Sequence, residues 1–89
     1  MTEVPSPTLA ELVKQAQTQV EVNGTYTHYK NAAHTYKVIA IAIQEADENI
    51  CVVYQAEYGD KLIFTRPLTS WLDVLNVDGK PVARFSKQA

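Results

Sequence analysis

Residues 36–43 read Tyr-Lys-Val-Ile-Ala-Ile-Ala-Ile, and this stretch decides the fold. Its β-branched residues alternate with small apolar ones, and apolar side chains fall on nearly both faces of an extended chain. A strand of that composition belongs in the middle of a sheet with material packed on each side. We therefore predict a central strand at 36–43, covered on both faces.

Downstream of this strand the period-2 pattern continues. A polar turn at 45–49 leads into a second apolar run at 50–57, and a tight turn at 58–61 leads into a strand at 62–66. Pro67 has no N–H to donate to a ladder, so it should close that strand.

The C-terminal third contains one short helix and one hairpin. Residues 69–75 begin with two hydroxyl residues, which predicts a single helical turn near 69–75 with a hydroxyl cap. Asp78-Gly79 lies between two β-prone segments, 75–77 and 80–85, and this dipeptide is a strong hairpin signal.

Upstream of the central strand lie a strand at 25–30, a polar interruption at 31–35 and a helix. Thr8 and Glu11 form the T-x-x-E pattern of a capping box, so a helix should begin at residue 8. Asn23-Gly24 should end it. Its apolar residues recur at intervals of three and four, typical of an amphipathic helix, and are Leu9, Leu12, Val13, Ala16 and Val20. This stripe must dock on the rest of the chain or on a second copy.

These elements predict a mainly β protein of five to six short antiparallel strands. Closing such a sheet removes its unpaired edges, so we expect an SH3-like barrel with an added N-terminal amphipathic helix. An open sheet with a covering helix is the alternative. The expected organisation is a flexible arm at 1–7, the helix at 8–22 and a single barrel domain at 23–86.

Several blocks of the chain resemble one family. They are Gly24-Thr25-Tyr26-Thr27-His28-Tyr29-Lys30, Tyr36-Lys37-Val38, the stretch 52–60 (Val-Val-Tyr-Gln-Ala-Glu-Tyr-Gly-Asp), Arg66-Pro67-Leu68, the stretch 77–82 (Val-Asp-Gly-Lys-Pro-Val) and Arg84-Phe85. Together they cover about residues 22–85 and resemble the domain of unknown function 1653 family. The resemblance implies a small, bacterial, stand-alone barrel of SH3-like type and no established activity.

The sequence departs from the family pattern in three places. Residues 31–34 (Asn-Ala-Ala-His) stand where a glycine usually follows His-Tyr-Lys, which predicts a longer loop. Residues 44–48 replace a turn usually rich in Ser, Glu and Thr. Phe64 stands in for a Trp usual before the Arg-Pro pair. If these segments carry recognition, the ligand differs from that of typical relatives.

Composition narrows the classes of function. The chain has 89 residues, one Cys and a net charge of −2, which leaves room for one domain and excludes a disulfide framework. It contains no apolar run long enough to span a membrane and no signal peptide, so we expect a cytoplasmic protein without membrane contact. Slight acidity argues against nucleic-acid binding. However, the acids concentrate in 45–60 and the bases after residue 60.

Aromatic and arginine residues are the strongest candidates for a site. All five Tyr lie between residues 26 and 58, and Tyr combines a flat apolar ring with a hydroxyl that suits a binding rim. Arg66 and Arg84 lie beside apolar residues, where a guanidinium needs a carboxylate, a phosphate or an aromatic face. We favour an internal partner for Arg84 and leave Arg66 open. The predicted ligand-binding residues are Tyr26, His28, Tyr29, Tyr58, Arg66 and Trp71.

Catalytic and metal-binding signals are weak. His28 and His34 lack the spacing of a metal pair, and Cys51 lies in an apolar strand that favours a buried structural thiol. We expect no metal site, no catalytic residues and no cofactor.

The leading hypothesis is a binding module for a peptide or small anionic ligand. The alternative is a homodimer that self-associates through Leu9, Leu12, Val13 and Ala16. An enzyme or RNA-handling domain comes third.

Overall fold

A computed structural model of the chain describes residues 6–88, and within them the protein is a mainly β domain with antiparallel sheets and one N-terminal helix. The helices are α1 (Leu9–Gln19) and α2 (Leu68–Trp71). The strands are β1 (Thr25–His28), β2 (Asn31–Gln44), β3 (Asn49–Ala56), β4 (Ile63–Pro67), β5 (Val74–Val77), β6 (Lys80–Ala83) and β7 (Phe85–Lys87). Most of the predicted arm at 1–7 lies outside the described residues.

The strands form a five-stranded sheet in the order β4-β3-β2-β1-β7 and a separate β5-β6 hairpin. The central position predicted for residues 36–43 is confirmed, since they belong to β2. The prediction that both faces of this strand are covered is only partly met. Val38 on one face is fully buried, but Ile39, the next residue, is 38% exposed. A bulge between Val38 and Ala40 locally disturbs the ladder with β3.

The expected closed barrel is not confirmed. Among residues 6–88 no backbone ladder joins β4 to β7, so the five-stranded sheet has two edges. Those edge strands meet through side chains instead, because the Arg66 guanidinium of β4 lies 5.4 Å from the centre of the Phe85 ring of β7. The open sheet with a covering helix, our alternative, describes the backbone pairing better.

The helix α1 packs on its own sheet. Thr8 caps it, accepting a hydrogen bond from the Glu11 N–H at 3.2 Å. The helix ends at Gln19, three residues before the predicted end, because Val20 is extended (φ −129°, ψ 119°). This turn carries the fully buried Val20 side chain into the core beside Tyr26, Val38 and Val52.

Two further sequence predictions need correction. The polar residues 31–35 belong to β2, which begins at Asn31 directly after a tight turn, and so do not separate two elements. The register with β1 shifts from Thr27 opposite Thr35 to His28 opposite Asn31, so residues 32–34 form an irregularity in the ladder. The helical turn predicted near 69–75 covers only Leu68–Trp71, and Val74 already belongs to β5. Its N-cap is Pro67, which makes no side-chain capping bond.

The hairpin prediction is confirmed: Asp78 (φ 52°) and Gly79 (φ 80°) are both left-handed, as a two-residue type I′ turn requires.

Candidate functional site

An aromatic cluster centred on Phe85 forms the floor of the candidate site. The Phe85 ring stacks on Trp71 with centroids 3.7 Å apart and an interplanar angle of 4°. His28 and Tyr54 meet the same ring edge-on at 5.0 and 5.7 Å. Because these residues come from β1, β3, α2 and β7, the cluster joins three strands of the sheet to α2 and fixes the floor in place.

Arg66 lies on this floor without an acidic partner. Its guanidinium faces the Phe85 ring, and its Nη1 donates to the Ser70 hydroxyl at 2.9 Å. Within residues 6–88 its Nε is buried without a hydrogen-bond partner, and no carboxylate lies within salt-bridge distance. A buried donor left unpaired costs about 1–3 kcal/mol relative to a satisfied one, so the enclosed Nε destabilises the fold locally. A ligand can reach only the exposed part of this half-buried side chain.

Arg84 differs from Arg66 in being paired internally, as predicted. Its Nη2 lies 3.4 Å from the Asp73 carboxylate, and its Nε donates to the Ser70 carbonyl at 2.9 Å. Both arginines therefore bind Ser70, one through the hydroxyl and the other through the backbone. Of these two chemically similar residues, Arg84 therefore has a carboxylate partner and Arg66 has none among the described residues.

His28 adds a partly buried imidazole to the same floor. Its Nδ1 accepts a hydrogen bond from the Lys30 N–H at 3.2 Å, which places the proton of the neutral ring on Nε2. Burial lowers the pKa of His28 below 6.5, and the positive charges of Arg66, Arg84 and Lys30 lower it further. The ring is accordingly neutral at pH 7, and cations outnumber acids around it.

The tyrosine pair Tyr36 and Tyr58 forms one flank of the site. Their hydroxyls lie 2.7 Å apart, and His34 stacks on the Tyr58 ring at 3.8 Å. Burial, followed by the hydrogen bond to Tyr58, raises the pKa of Tyr36 to about 12, while Arg66 acts in the opposite direction. Tyr36 also meets Phe85 at 6.1 Å, which connects this flank to the aromatic floor.

The six predicted ligand-binding residues fall into two groups. Tyr26 (6% exposed) and Trp71 (3% exposed) are core residues, and the Tyr26 hydroxyl is already used by the Glu21 N–H at 2.9 Å. Their inclusion in the binding surface is corrected, because a buried ring offers almost no area to a ligand. His28, Tyr29, Tyr58 and Arg66 retain exposure around the floor, with Tyr29 against His28 at 4.7 Å.

Sequence reasoning missed several contributors. Neither Tyr36 nor Phe85 is among the predicted ligand-binding residues, and Ser70 is predicted only as part of a hydroxyl cap. The alternation of β2 places His34 and Tyr36 on one face, so the spacing of two was a usable signal for that flank. The role of Ser70 had no local signal, because it depends on two arginines that lie 4 and 14 residues away.

The four residues predicted for self-association also separate into a buried one and three half-buried ones. Ala16 is 1% exposed against the chain's own sheet and is not available to a second copy. Leu9, Leu12 and Val13 are half-buried. Leu12 also lines an open groove of about 270 Å³ together with Ile50 and Leu68.

The described residues give little support to a reactive thiol, a metal site or a membrane-spanning helix. Cys51 is buried, as expected for a structural thiol. Residues 6–88 contain no group of three or more His, Cys, Asp or Glu side chains placed to hold a metal ion. Within the same residues, no helix has the length and apolarity needed to span a membrane.

Comparison with known proteins places the chain among proteins of unassigned activity. The profile of a family described as "Protein of unknown function (DUF1653)" matches residues 24–87. A crystal structure of a protein belonging to DUF1653 from Bordetella bronchiseptica is similar in fold, with a TM-score of 0.64 and 27% sequence identity. The similarity covers 76% of this chain and 87% of that one. No curated protein matches the chain.

Proposed function

Because the chain belongs to the DUF1653 family, whose description assigns no activity, we propose a function from the site itself: a non-catalytic binding module for a peptide or small anionic ligand. The contact surface is the Arg66 guanidinium with His28, Tyr29 and Tyr58 around it. We call these four residues the Arg66 site. We expect the protein to act in the bacterial cytoplasm.

The observation that carries this proposal is the half-buried Arg66 guanidinium, which has no carboxylate partner among residues 6–88. A guanidinium held by Ser70 on one side and by the Phe85 face below is fixed in orientation before any ligand arrives. Such preorganisation lowers the entropic cost of binding. Carboxylates and phosphates match the spacing of guanidinium N–H groups, so an oxyanion is the ligand group that best satisfies this residue.

The surroundings favour an anion as well. Arg84 and Lys30 lie close enough to lower the His28 pKa, so their positive charge also reaches the Arg66 site. The Tyr29 and Tyr58 rings supply flat apolar area for the body of a ligand, the role that aromatic residues commonly take in binding sites.

Titration with sodium acetate and with inorganic phosphate tests the proposal. Trp71 fluorescence is the first readout, because the indole stacks on the ring that supports Arg66. Saturable changes are expected in the wild type and in a Lys80→Gln control, which removes a charge from the exposed β6 position. Arg66→Gln should remove them. Equal responses in the Arg66→Gln and Lys80→Gln variants would show that the anions screen charge without binding at this site.

We further infer SH3-like curvature for residues 23–86. The long bulged β2, the one-turn α2 after β4 and the side-chain contact between Arg66 and Phe85 support this inference. Nuclear Overhauser effects between Arg66 side-chain protons and Phe85 ring protons are the expected signature. Their absence from a well-dispersed spectrum would contradict it.

Self-association through α1 is the second candidate function, now restricted to Leu9, Leu12 and Val13. The open groove beside Leu12 favours it. Light scattering of the wild type and of Leu12→Ser should show a dimer that the substitution weakens. A concentration-independent monomeric mass in both proteins would exclude it.

A further inference from the structure

The free edge of β4 borders the Arg66 site. Strand β4 ends the five-stranded sheet and pairs on one side with β3. The Leu62 carbonyl accepts a hydrogen bond from the Ala56 N–H at 3.0 Å. Because hydrogen-bonded pairs alternate along an antiparallel ladder, Phe64 and Arg66 also direct their backbone groups towards β3. The N–H and C=O groups of Ile63 and Thr65 therefore point away from the sheet.

This edge is unusually apolar for an unpaired strand. Ile63 is 60% exposed, Leu62 is 58% exposed and Phe64 is 40% exposed. Natural edge strands generally carry charges, prolines or a covering element that prevent such exposure. Here Pro67 blocks only the C-terminal end of β4, so residues 62–65 keep the features of a strand that accepts a partner.

A small groove lies on the side of the edge strand that also carries Arg66. It encloses about 170 Å³ and is lined by Ala56, Tyr58, Gly59, Asp60, Lys61, Leu62 and Phe64. Phe64 and Arg66 are two residues apart in β4 and thus share one face, about 7 Å from each other along the strand. The cation and the groove can therefore contact one ligand together.

Building on the proposed function, we propose that the ligand is the C-terminal segment of a polypeptide. It adds to β4 as an extra strand and runs parallel to it. The backbone of the segment pairs with Ile63 and Thr65, an apolar side chain enters the groove at Phe64, and the terminal carboxylate binds the Arg66 guanidinium. Strand addition of this kind derives affinity from backbone bonds and specificity from alternate side-chain pockets.

The end of β4 explains why a chain terminus fits better than an acidic side chain. Pro67 has no N–H, and α2 begins at Leu68, so the edge available for pairing stops beside Arg66. A ligand chain running parallel to β4 must also stop or turn away there. A C-terminal residue ends at that point and presents its charge beside the half-buried Arg66 side chain, whose guanidinium has no carboxylate partner within residues 6–88.

The probe for this proposal is the peptide acetyl-alanyl-valyl-threonyl-leucine, compared with its C-terminal amide. In titrations followed by ¹H–¹⁵N correlation spectra, the free acid should bind about tenfold more tightly than the amide. A charge-assisted hydrogen bond contributes about that much to the binding constant. The amide signals of Ile63 and Thr65 should shift most. Arg66→Gln should remove the difference between acid and amide.

A pair of variants at Thr65 isolates the backbone contribution. Thr65→Pro removes the outward N–H and leaves the ladder to β3 intact, while Thr65→Ala keeps that N–H and removes only the side chain. The proline variant should bind the free acid about fivefold more weakly than the alanine variant. Acetate should bind both equally well. If Thr65→Pro does not fold, Leu62→Ser and the comparison of acid with amide replace it.

The outcomes separate this inference from the proposed function. Equal affinity for acid and amide, alongside acetate binding that depends on Arg66, would overturn the C-terminal ligand and leave the anion site standing. A dimer that disappears in Thr65→Pro, with no peptide binding, would show that a second copy occupies the edge and would also overturn it. If acetate, phosphate and the peptide all fail to bind, both proposals are refuted.

Discussion

Replacing Phe85 with leucine tests whether this ring holds both the fold and the site together. The substitution keeps an apolar side chain of similar burial at a position that is 8% exposed. It removes the parallel stack on Trp71 and the edge-on contacts from His28 and Tyr54. It also removes the aromatic face beneath the Arg66 guanidinium.

The size of the effect follows from these contacts. An aromatic pair contributes about 0.5–1.5 kcal/mol beyond its buried area, and a cation over a ring contributes about 0.5–1 kcal/mol. Since several of these contacts share one ring, they do not add fully. We expect Phe85→Leu to lower the free energy of unfolding by about 2 kcal/mol. For a domain of this size that corresponds to a Tm lower by about 8–16 °C.

Phe64→Leu is the matched control. The Phe64 ring is 40% exposed and makes one aromatic contact among the described residues, a tilted approach to Tyr54 at 5.7 Å. This change should cost less than about 1 kcal/mol. Urea unfolding followed by far-UV circular dichroism and by Trp71 fluorescence gives both values. Equal losses for the two variants would refute the central role of Phe85, as would a loss below about 0.5 kcal/mol for Phe85→Leu.

Three other measurements follow from the structure. The folded state lowers the pKa of His28 below its unfolded value of 6.5, so the unfolded chain binds more protons there. Stability should therefore fall as pH drops below 6.5, and His28→Gln should reduce this dependence more than His34→Gln does. The pKa of Tyr36, raised to about 12, predicts a late-ionising tyrosine in an absorbance titration of the wild type at 295 nm that is missing in Tyr36→Phe; an unchanged alkaline limb would contradict the half-buried hydroxyl pair. Thr8→Ala should lower the free energy of unfolding by about 1 kcal/mol, because the Glu11 N–H loses its cap, whereas Thr8→Ser should retain it.

Local chemistry made several parts of the fold predictable. The T-x-x-E start of α1 depends on residues three positions apart, and the Asp78-Gly79 turn depends on two adjacent residues that tolerate positive φ. Pro67 is the last residue of β4, and its missing N–H leaves the outer edge of the strand without a donor there. Each of these features is set within a few residues, so it is visible in the sequence.

Element boundaries were less predictable where packing overrides local preference. Residues 31–35 are polar, yet they extend β2, because Asn31 pairs with His28 and Thr35 pairs with Thr27 on either side of a register shift. Residues 20–22 continue the helical pattern, yet Val20 leaves the helix to fill the core. In both cases a contact with a distant strand outweighs the local pattern.

The type of candidate site could be predicted from the sequence, but not which residues form it. An aromatic and arginine surface could be inferred from composition, and His28, Tyr29, Tyr58 and Arg66 remain exposed enough to form it. The burial of Tyr26 could not be inferred, because period-2 alternation does not say which face of a strand turns inward. The burial of Trp71 could not be inferred either, because the one-turn helix α2 is too short to show an apolar period. Their positions depend on Val20 and Phe85, which pack against them from opposite ends of the chain.

The sequence by itself determined a small, mainly β domain of the DUF1653 family, with a capped helix, a central strand and a type I′ hairpin, because those features depend on residues close together in the chain. Only the tertiary structure decided that Arg84 binds Asp73, while Arg66, on an edge strand, has no carboxylate partner among residues 6–88. Two arginines with similar neighbours differ in what they can bind because pairing depends on distance in space, and folding alone sets that distance.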